Sequence, residues 1–290
     1  MTCSAISLGR LDEPSAVSLP QSCSEMGMSV RIFEQLSESL RKPEFWAYSS
    51  WLDIVTRYRR TRLGLVWLLA PVTVFMAITG PLYAKIFGRD LSYYLVHLGM
   101  GYATWRLIVM VLNDSVTSLR GNKSFILDGN TRLTDYALKS IAKSLVYFAF
   151  SMIGMICVLA WSPAVPAQCI LTLLITVPVL LVNLFWIAYC LSILGARFPD
   201  VSEVLNTILM LGFLFTPIIW EGNRFPPSSI GGIVVRANPA YHLLEFVREP
   251  LFGRMPEPYT LVYLAVFTVL GWLGAIFLCR RFSRYVPIWI

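Results

Sequence analysis

Six stretches of about twenty apolar residues, near 65–84, 93–112, 141–161, 169–194, 204–220 and 259–279, limit what this chain can fold into. Each is long enough to cross a hydrocarbon core of about 30 Å as an α-helix, and an open structure in lipid must satisfy its backbone polar groups within the segment. The expected fold is an all-α integral membrane bundle of about six transmembrane helices. Composition agrees, because only 14% of the 290 residues are charged, against about a quarter in soluble domains. Pro163 and Pro166 mark a short turn between the third and fourth spans, and Pro178 falls inside the fourth.

The net charge of +7 raises the question of nucleic acid, but the basic residues sort by side of the membrane. With the N terminus inside, the inner segments carry seventeen Lys and Arg and the outer segments six, with Arg106 inside a span. A nearly threefold bias of this kind orients the chain with both termini cytoplasmic and leaves no reason to invoke nucleic acid. Cys3, Cys23, Cys157, Cys169, Cys190 and Cys279 form no Cys-x-x-Cys pair, and the last four lie in or beside apolar runs. They read as small hydrophobes.

Residues 1–40 read as a disordered tail, and 41–290 as one transmembrane domain. The stretch to about Met28 is Ser-rich and lacks the basic start and apolar run of a secretory signal. From Pro43 to Tyr58, Phe45, Tyr48, Trp51, Leu52, Val55 and Tyr58 recur at three- and four-residue spacing. That pattern predicts an amphipathic helix lying at the interface, with its aromatics on the apolar side.

Arg57, Arg59, Arg60 and Arg62 stand where this helix meets the first span. Guanidinium forks at that depth suit anionic headgroups or a lipid diphosphate, while positive-inside anchoring is the plainer reading. Arg106 needs a partner or water, because a charge in the middle of a span costs at least about 2.5–3.5 kcal/mol. His97 and Asn183 read as interhelical hydrogen-bonding groups. The spans are rich in aromatics, Trp67, Tyr102 and Trp105 among them, and such rings either pack or line a path for sugars. No phosphate loop is present, since Gly121-Asn122-Lys123-Ser124 has the wrong order, so ATP-driven work would need a second polypeptide. The two histidines are not spaced as a helical metal pair, and no acid–base constellation of an enzyme is evident.

Read in order, Arg57-Tyr58-Arg59, Leu63-Gly64-x-x-Trp67 with Pro71, Gly101 with Trp105, Arg197-Phe198-Pro199-Asp200, Phe215-Thr216-Pro217-Ile218, and Asn238-Pro239-Ala240-Tyr241 with Glu245 and Arg248 resemble the ABC-2 type permeases of polysaccharide export. The resemblance spans about 45–280. It implies a homodimer in the cytoplasmic (inner) membrane that works with two copies of a nucleotide-binding ATPase. ATP and Mg would be bound by that ATPase, with no cofactor in this chain. The implied cargo is a lipid-linked polysaccharide such as O-antigen, capsule or teichoic acid.

The resemblance also implies roles for residues. The path would involve the arginine cluster with Trp67, Tyr102, Trp105 and Arg106. The ATPase would meet the interface helix, at Trp51 and Asp53, and the loop at 113–138, at Asp128 and Arg132. Short outer gate helices would lie between spans five and six, carrying Asn238, Pro239, Tyr241, Glu245 and Arg248. Local sequence supports the last point: Asn238 can cap a helix with Pro239 in its first turn, and Tyr241, Leu244 and Val247 then share one side. Two rival readings remain, an ABC-2 permease for a small drug or lipid and a membrane enzyme acting on polyprenyl-linked sugars.

Overall fold

A computed structural model describes residues 31–290 apart from Asn130, Ala164 and Pro227. The chain runs through α1 (Arg31–Arg41), α2 (Glu44–Tyr58), α3 (Ala70–Phe87), α4 (Leu91–Gly121), α5 (Lys123–Leu127), α6 (Leu133–Trp161), α7 (Leu173–Arg197), α8 (Val201–Phe215), α9 (Ile230–Ala237), α10 (Pro239–Arg248), α11 (Pro258–Phe282) and α12 (Val286–Trp289). The all-α expectation is met, and five helices, namely α3, α4, α6, α7 with the turn before it, and α11, are long and apolar enough to cross a membrane.

Three expectations need correction. The fifth predicted span, 204–220, is the 15-residue α8, which at 1.5 Å per residue is about 22 Å long and short of a full hydrocarbon core. Its helix ends because Thr216 turns to an extended conformation, and Pro217 follows with no N–H to continue the ladder. The expected tail at 1–40 is helical from Arg31 onward; the earlier part lies outside the described residues. There Ile32 and Ser39 are buried, and the Ser39 and Thr134 hydroxyls hydrogen-bond at 2.8 Å. Finally, the segment 113–138 is mostly helix, because α4 runs on to Gly121 and α6 begins at Leu133. The 31-residue α4 therefore extends about 46 Å, so its ends stand at opposite ends of the bundle.

Helix α4 is the central element, packed on α3, α6, α7, α8 and α10. Lipid is as apolar as leucine, so these helices are held by close packing rather than by escape from water. Gly195 of α7 shows how close: a Cβ there would lie 1.9 Å from the Val116 carbonyl oxygen of α4. Asn183 Oδ1 accepts from Thr268 Oγ1 at 2.9 Å, tying α7 to α11 as expected of that residue. Cys169, Cys190 and Cys279 form no disulfide among the described residues, and Cys279 belongs to the core. The outward faces of α3, α8 and α11 carry exposed Val74, Ile78, Ile208, Met210, Val262 and Phe277, as a surface facing lipid or another copy requires.

Candidate functional site

At the end of the bundle where α4 begins, the chain after α8 is not helical, yet Thr216, Pro217 and Ile218 are fully buried. Irregular backbone at such depth must find partners within the protein. Asn238 caps α10 by accepting from Ala240 N at 2.9 Å and donates to Thr216 Oγ1 at 2.8 Å. Arg248 Nη1 donates to the Pro217 carbonyl at 2.8 Å. The Tyr94 hydroxyl donates to the Ile219 carbonyl at 2.6 Å. The His97 ring hydrogen-bonds the Trp220 backbone. Four side chains, from α4, α10 and the N-cap of α10, thus hold four of the five residues from Thr216 to Trp220.

Arg248 is the centre of the clamp, 1% exposed. Besides Pro217 it bonds His97 Nε2 at 3.2 Å and the Glu245 carboxylate one turn earlier. A guanidinium only donates, so His97 accepts through Nε2 and carries its proton on Nδ1, which matches the bond to Trp220. His97 is therefore the interhelical hydrogen-bonding group expected from the sequence. Gly101 leaves room for the arrangement: a Cβ there would come within 3.4 Å of both Arg248 Nη1 and the Ile218 oxygen. Pro239 occupies the first turn of α10, and Tyr241, Leu244 and Val247 are all buried on one side. At the same end the carboxyl of Asp90 caps α4, and hydrogen bonds from Ser92 and Tyr93 hold it below the ordinary carboxylate range.

At the opposite end α1, α2, α5 and the first turns of α6 form a polar platform. Lys139 pairs with Asp53 at 3.0 Å, Arg132 with Glu38 at 2.8 Å, and Lys143 with Asp114. Phe45 packs edge-on against Phe125 and Tyr136, and Trp46 Nε1 donates to the Ser39 carbonyl at 2.8 Å. Helix α2 lies on α6 through Ser50 and Ile54, leaving Tyr48, Trp51 and Leu52 exposed. Asp128 follows α5 and is exposed, beside half-exposed Phe125 and Leu127. Of the four ATPase-contact candidates, Trp51 and Asp128 face outward, while Asp53 and Arg132 are engaged within the platform.

The arginine cluster lies where α2 gives way to α3. Arg57, Arg59, Arg60 and Arg62 are exposed, and none of them, nor Arg106, forms an ion pair among the described residues. Arg106 is half-buried, touches Met110 Sδ at 3.9 Å, and lies near enough to Tyr58 to act on it. Burial and the hydrogen bond to Tyr147 push the Tyr58 phenol up to about 12, with Arg57 and Arg106 pulling the other way. Arg106, within α4, thus lies near the end of α2. The aromatic candidates are dispersed: Trp67 is exposed, Tyr102 stacks on Phe75 with centroids 3.9 Å apart, and Trp105 is buried between α4 and α8 beside Phe213.

Sequence reasoning missed Tyr94 and the way His97 reaches Arg248, since both link residues far apart in the chain. The Phe215-Thr216-Pro217-Ile218 motif was the available signal, a proline and a threonine interrupting an apolar run.

No family model matches the chain. Over 222 residues it is 23% identical to the polysialic acid transport protein KpsM of Escherichia coli, covering 75% of this chain and 85% of that protein. A second Escherichia coli protein of the same name is 22% identical over 222 residues. The resemblance to the ABC-2 type permeases is borne out. Both relatives are named as transport proteins, and the chain is a multi-pass membrane transport subunit, a permease, rather than an enzyme.

Proposed function

We propose that this permease is the membrane subunit of an ATP-driven exporter that moves a lipid-linked polysaccharide, with O-antigen as the leading class, across the inner membrane. The observation that carries the reading is its likeness, over three quarters of its length, to proteins named for polysialic acid transport. Two copies form the path, and two copies of a separate ATPase bind ATP and Mg and drive transport by hydrolysis. The absence of a phosphate loop agrees with that division of labour. So does the platform at the α2 end, whose exposed Trp51, Phe125, Leu127 and Asp128 suit a docking partner.

Both termini are cytoplasmic in this reading, supported by the Lys and Arg bias. The four arginines at the α2–α3 junction, which form no ion pair among the described residues, suit the diphosphate of a lipid carrier entering from that side. The α9–α10 end is then the outer gate. The test is complementation: a strain lacking its own exporter, given this chain and its cognate ATPase, should display polymer at the cell surface. Polymer retained inside with both subunits inserted would overturn the cargo, and purified chain moving glycolipid across liposomes without ATP would overturn the drive.

A further inference from the structure

At the α10 end a cavity of about 110 Å³ opens beside the clamp, lined among others by Tyr93, Glu221, Tyr241, Arg248, Glu249 and Arg254. Its volume is that of several water molecules, and its wall is mostly polar. Four carboxylates border it, but three are already engaged. Glu221 pairs with Arg89 at 2.6 Å, Glu257 with Arg236 at 3.1 Å, and Glu245 with Arg248. A free anion would meet this acidic wall, and no group of three or more His, Cys, Asp or Glu among the described residues is placed to hold a metal ion.

Two of the lining side chains keep a buried polar atom without a hydrogen-bond partner among the described residues, Glu221 Oε1 and Arg248 Nε. One accepts and the other donates, and leaving either unmet is unfavourable. The wall carries carboxylates that accept and guanidinium groups that donate, and a hydroxyl group does both, so a neutral polyol suits it where a simple cation or anion suits only one kind of group. Tyr93 and Tyr241 add aromatic surface to the same wall, completing the mixture of rings and a few fixed polar groups common to small-molecule sites.

We propose that this cavity is a saccharide subsite, in which one neutral sugar unit is held by Glu221, Glu249, Arg248 and Arg254 between Tyr93 and Tyr241. The proposal rests on the polysaccharide reading of the cargo and adds to it a place where that polymer is gripped. Arg248 also holds the Pro217 carbonyl. A sugar seated here therefore bonds the same guanidinium that fixes the chain after α8, which connects occupancy of the subsite to the state of the clamp.

The experiment is saturation-transfer NMR on the full chain in nanodiscs, with glucose, galactose, mannose and N-acetylglucosamine as probes and glycerol and acetate as controls. At least one sugar should bind in the millimolar range and more tightly than glycerol, and acetate should not bind. Arg254→Gln, at an exposed position, and Glu249→Gln should each weaken binding about tenfold, the loss of one charge-assisted hydrogen bond. Trp161→Ala, at an exposed position outside the cavity's lining, should leave binding unchanged. Binding no tighter than glycerol, or undiminished in both Gln variants while these remain monodisperse, overturns the subsite. Surface display of polymer, measured on the same chain, separates the two readings. A chain that exports polymer but binds none of the sugars refutes the subsite and leaves the cargo reading intact. A chain that binds sugar yet exports no polymer supports the subsite and overturns the cargo reading.

Discussion

The Arg248 guanidinium donates to the Pro217 carbonyl at 2.8 Å, joining the last turn of α10 to the residue that ends the helical run of α8. This bond lets a short helix and an irregular segment replace a full fifth span. Without it, a buried carbonyl would have no partner, a state that costs about 1–3 kcal/mol.

Replacing Arg248 tests the clamp directly. Arg248→Met leaves Glu245, His97 and Pro217 without their shared donor, and breaking a buried ion pair from one side costs about 3–5 kcal/mol. The variant should unfold at a clearly lower temperature in detergent than the wild-type chain. Adding Glu245→Gln should restore part of the loss by removing the stranded charge. Arg248→Lys should fall between, since an ammonium is a point donor and cannot fork to three partners. Equal unfolding temperatures for Arg248→Met and wild type would mean that the clamp bears no weight.

The α4–α7 crossing gives a second test. An added Cβ at Gly195 would overlap the Val116 carbonyl, which is backbone and cannot rotate away. Overpacking of this kind costs about 1–3 kcal/mol, so Gly195→Ala should lower thermal stability and Gly195→Val should lower it further. Gly274→Ala is the control, because an added Cβ there meets nothing within 4 Å. Normal stability of Gly195→Val would show that the helices separate at no cost.

Much of the fold was legible because apolar runs carry their own length, and the spans at 93–112, 141–161 and 259–279 each lie within one long helix. Two kinds of feature were not. Where a helix leaves the apolar zone its sequence turns charged without ceasing to be helical, so α4 was read as ending near Leu112 although it continues past Asp114 and Arg120 to Gly121. Conversely, Thr216 to Trp220 stays apolar after the helix has ended, so hydropathy joined it to α8. The candidate site divides in the same way. Asn238 and Pro239 announced the start of α10, because capping is local. That Arg248 meets His97 151 residues away is a property of packing, which no local pattern encodes.

The arginine cluster separates anchoring from recognition. Exchanging Arg57, Arg59, Arg60 and Arg62 together for Lys keeps every positive charge and removes every fork. The Lys set should insert with normal topology and yield, while surface polymer falls about tenfold, the loss expected when bidentate contacts to a diphosphate become single ones. Quantitative immunodetection of surface polymer reads this against the amount of permease in the membrane. Unchanged export would leave the cluster with the anchoring role alone.

The orientation rests on the Lys and Arg bias and is open to chemical labelling. In a background without other cysteines, Phe225→Cys should react with an impermeant maleimide on intact cells, and Asp128→Cys should react only after the membrane is opened. Both residues are exposed in the protein, so a silent site cannot be blamed on burial. The reverse pattern would invert the molecule and carry the arginine cluster to the outside.

The coupling to an ATPase is the last prediction. The platform at the α2 end contains engaged and unengaged residues, and they should respond differently. Asp128 and Leu127 are exposed, and Asp128 has no ion pair or side-chain hydrogen-bond partner among the described residues. Asp128→Arg and Leu127→Ser should therefore leave unfolding temperature and membrane insertion unchanged while weakening the stimulation of the partner's ATP hydrolysis by lipid-linked polymer. Arg132 pairs with Glu38, and its backbone N–H donates to Asp135 at 2.9 Å. Arg132→Glu places like charges opposite Glu38, so it should loosen α1 and weaken coupling only as far as that loosening reaches the surface. The double exchange of Arg132→Glu with Glu38→Arg should restore coupling if Arg132 acts through α1, and fail to restore it if Arg132 touches the ATPase itself. Full coupling in Asp128→Arg and Leu127→Ser would remove α5 from the contact and leave the exposed face of α2, at Tyr48, Trp51 and Leu52, as the surface on which the ATPase docks.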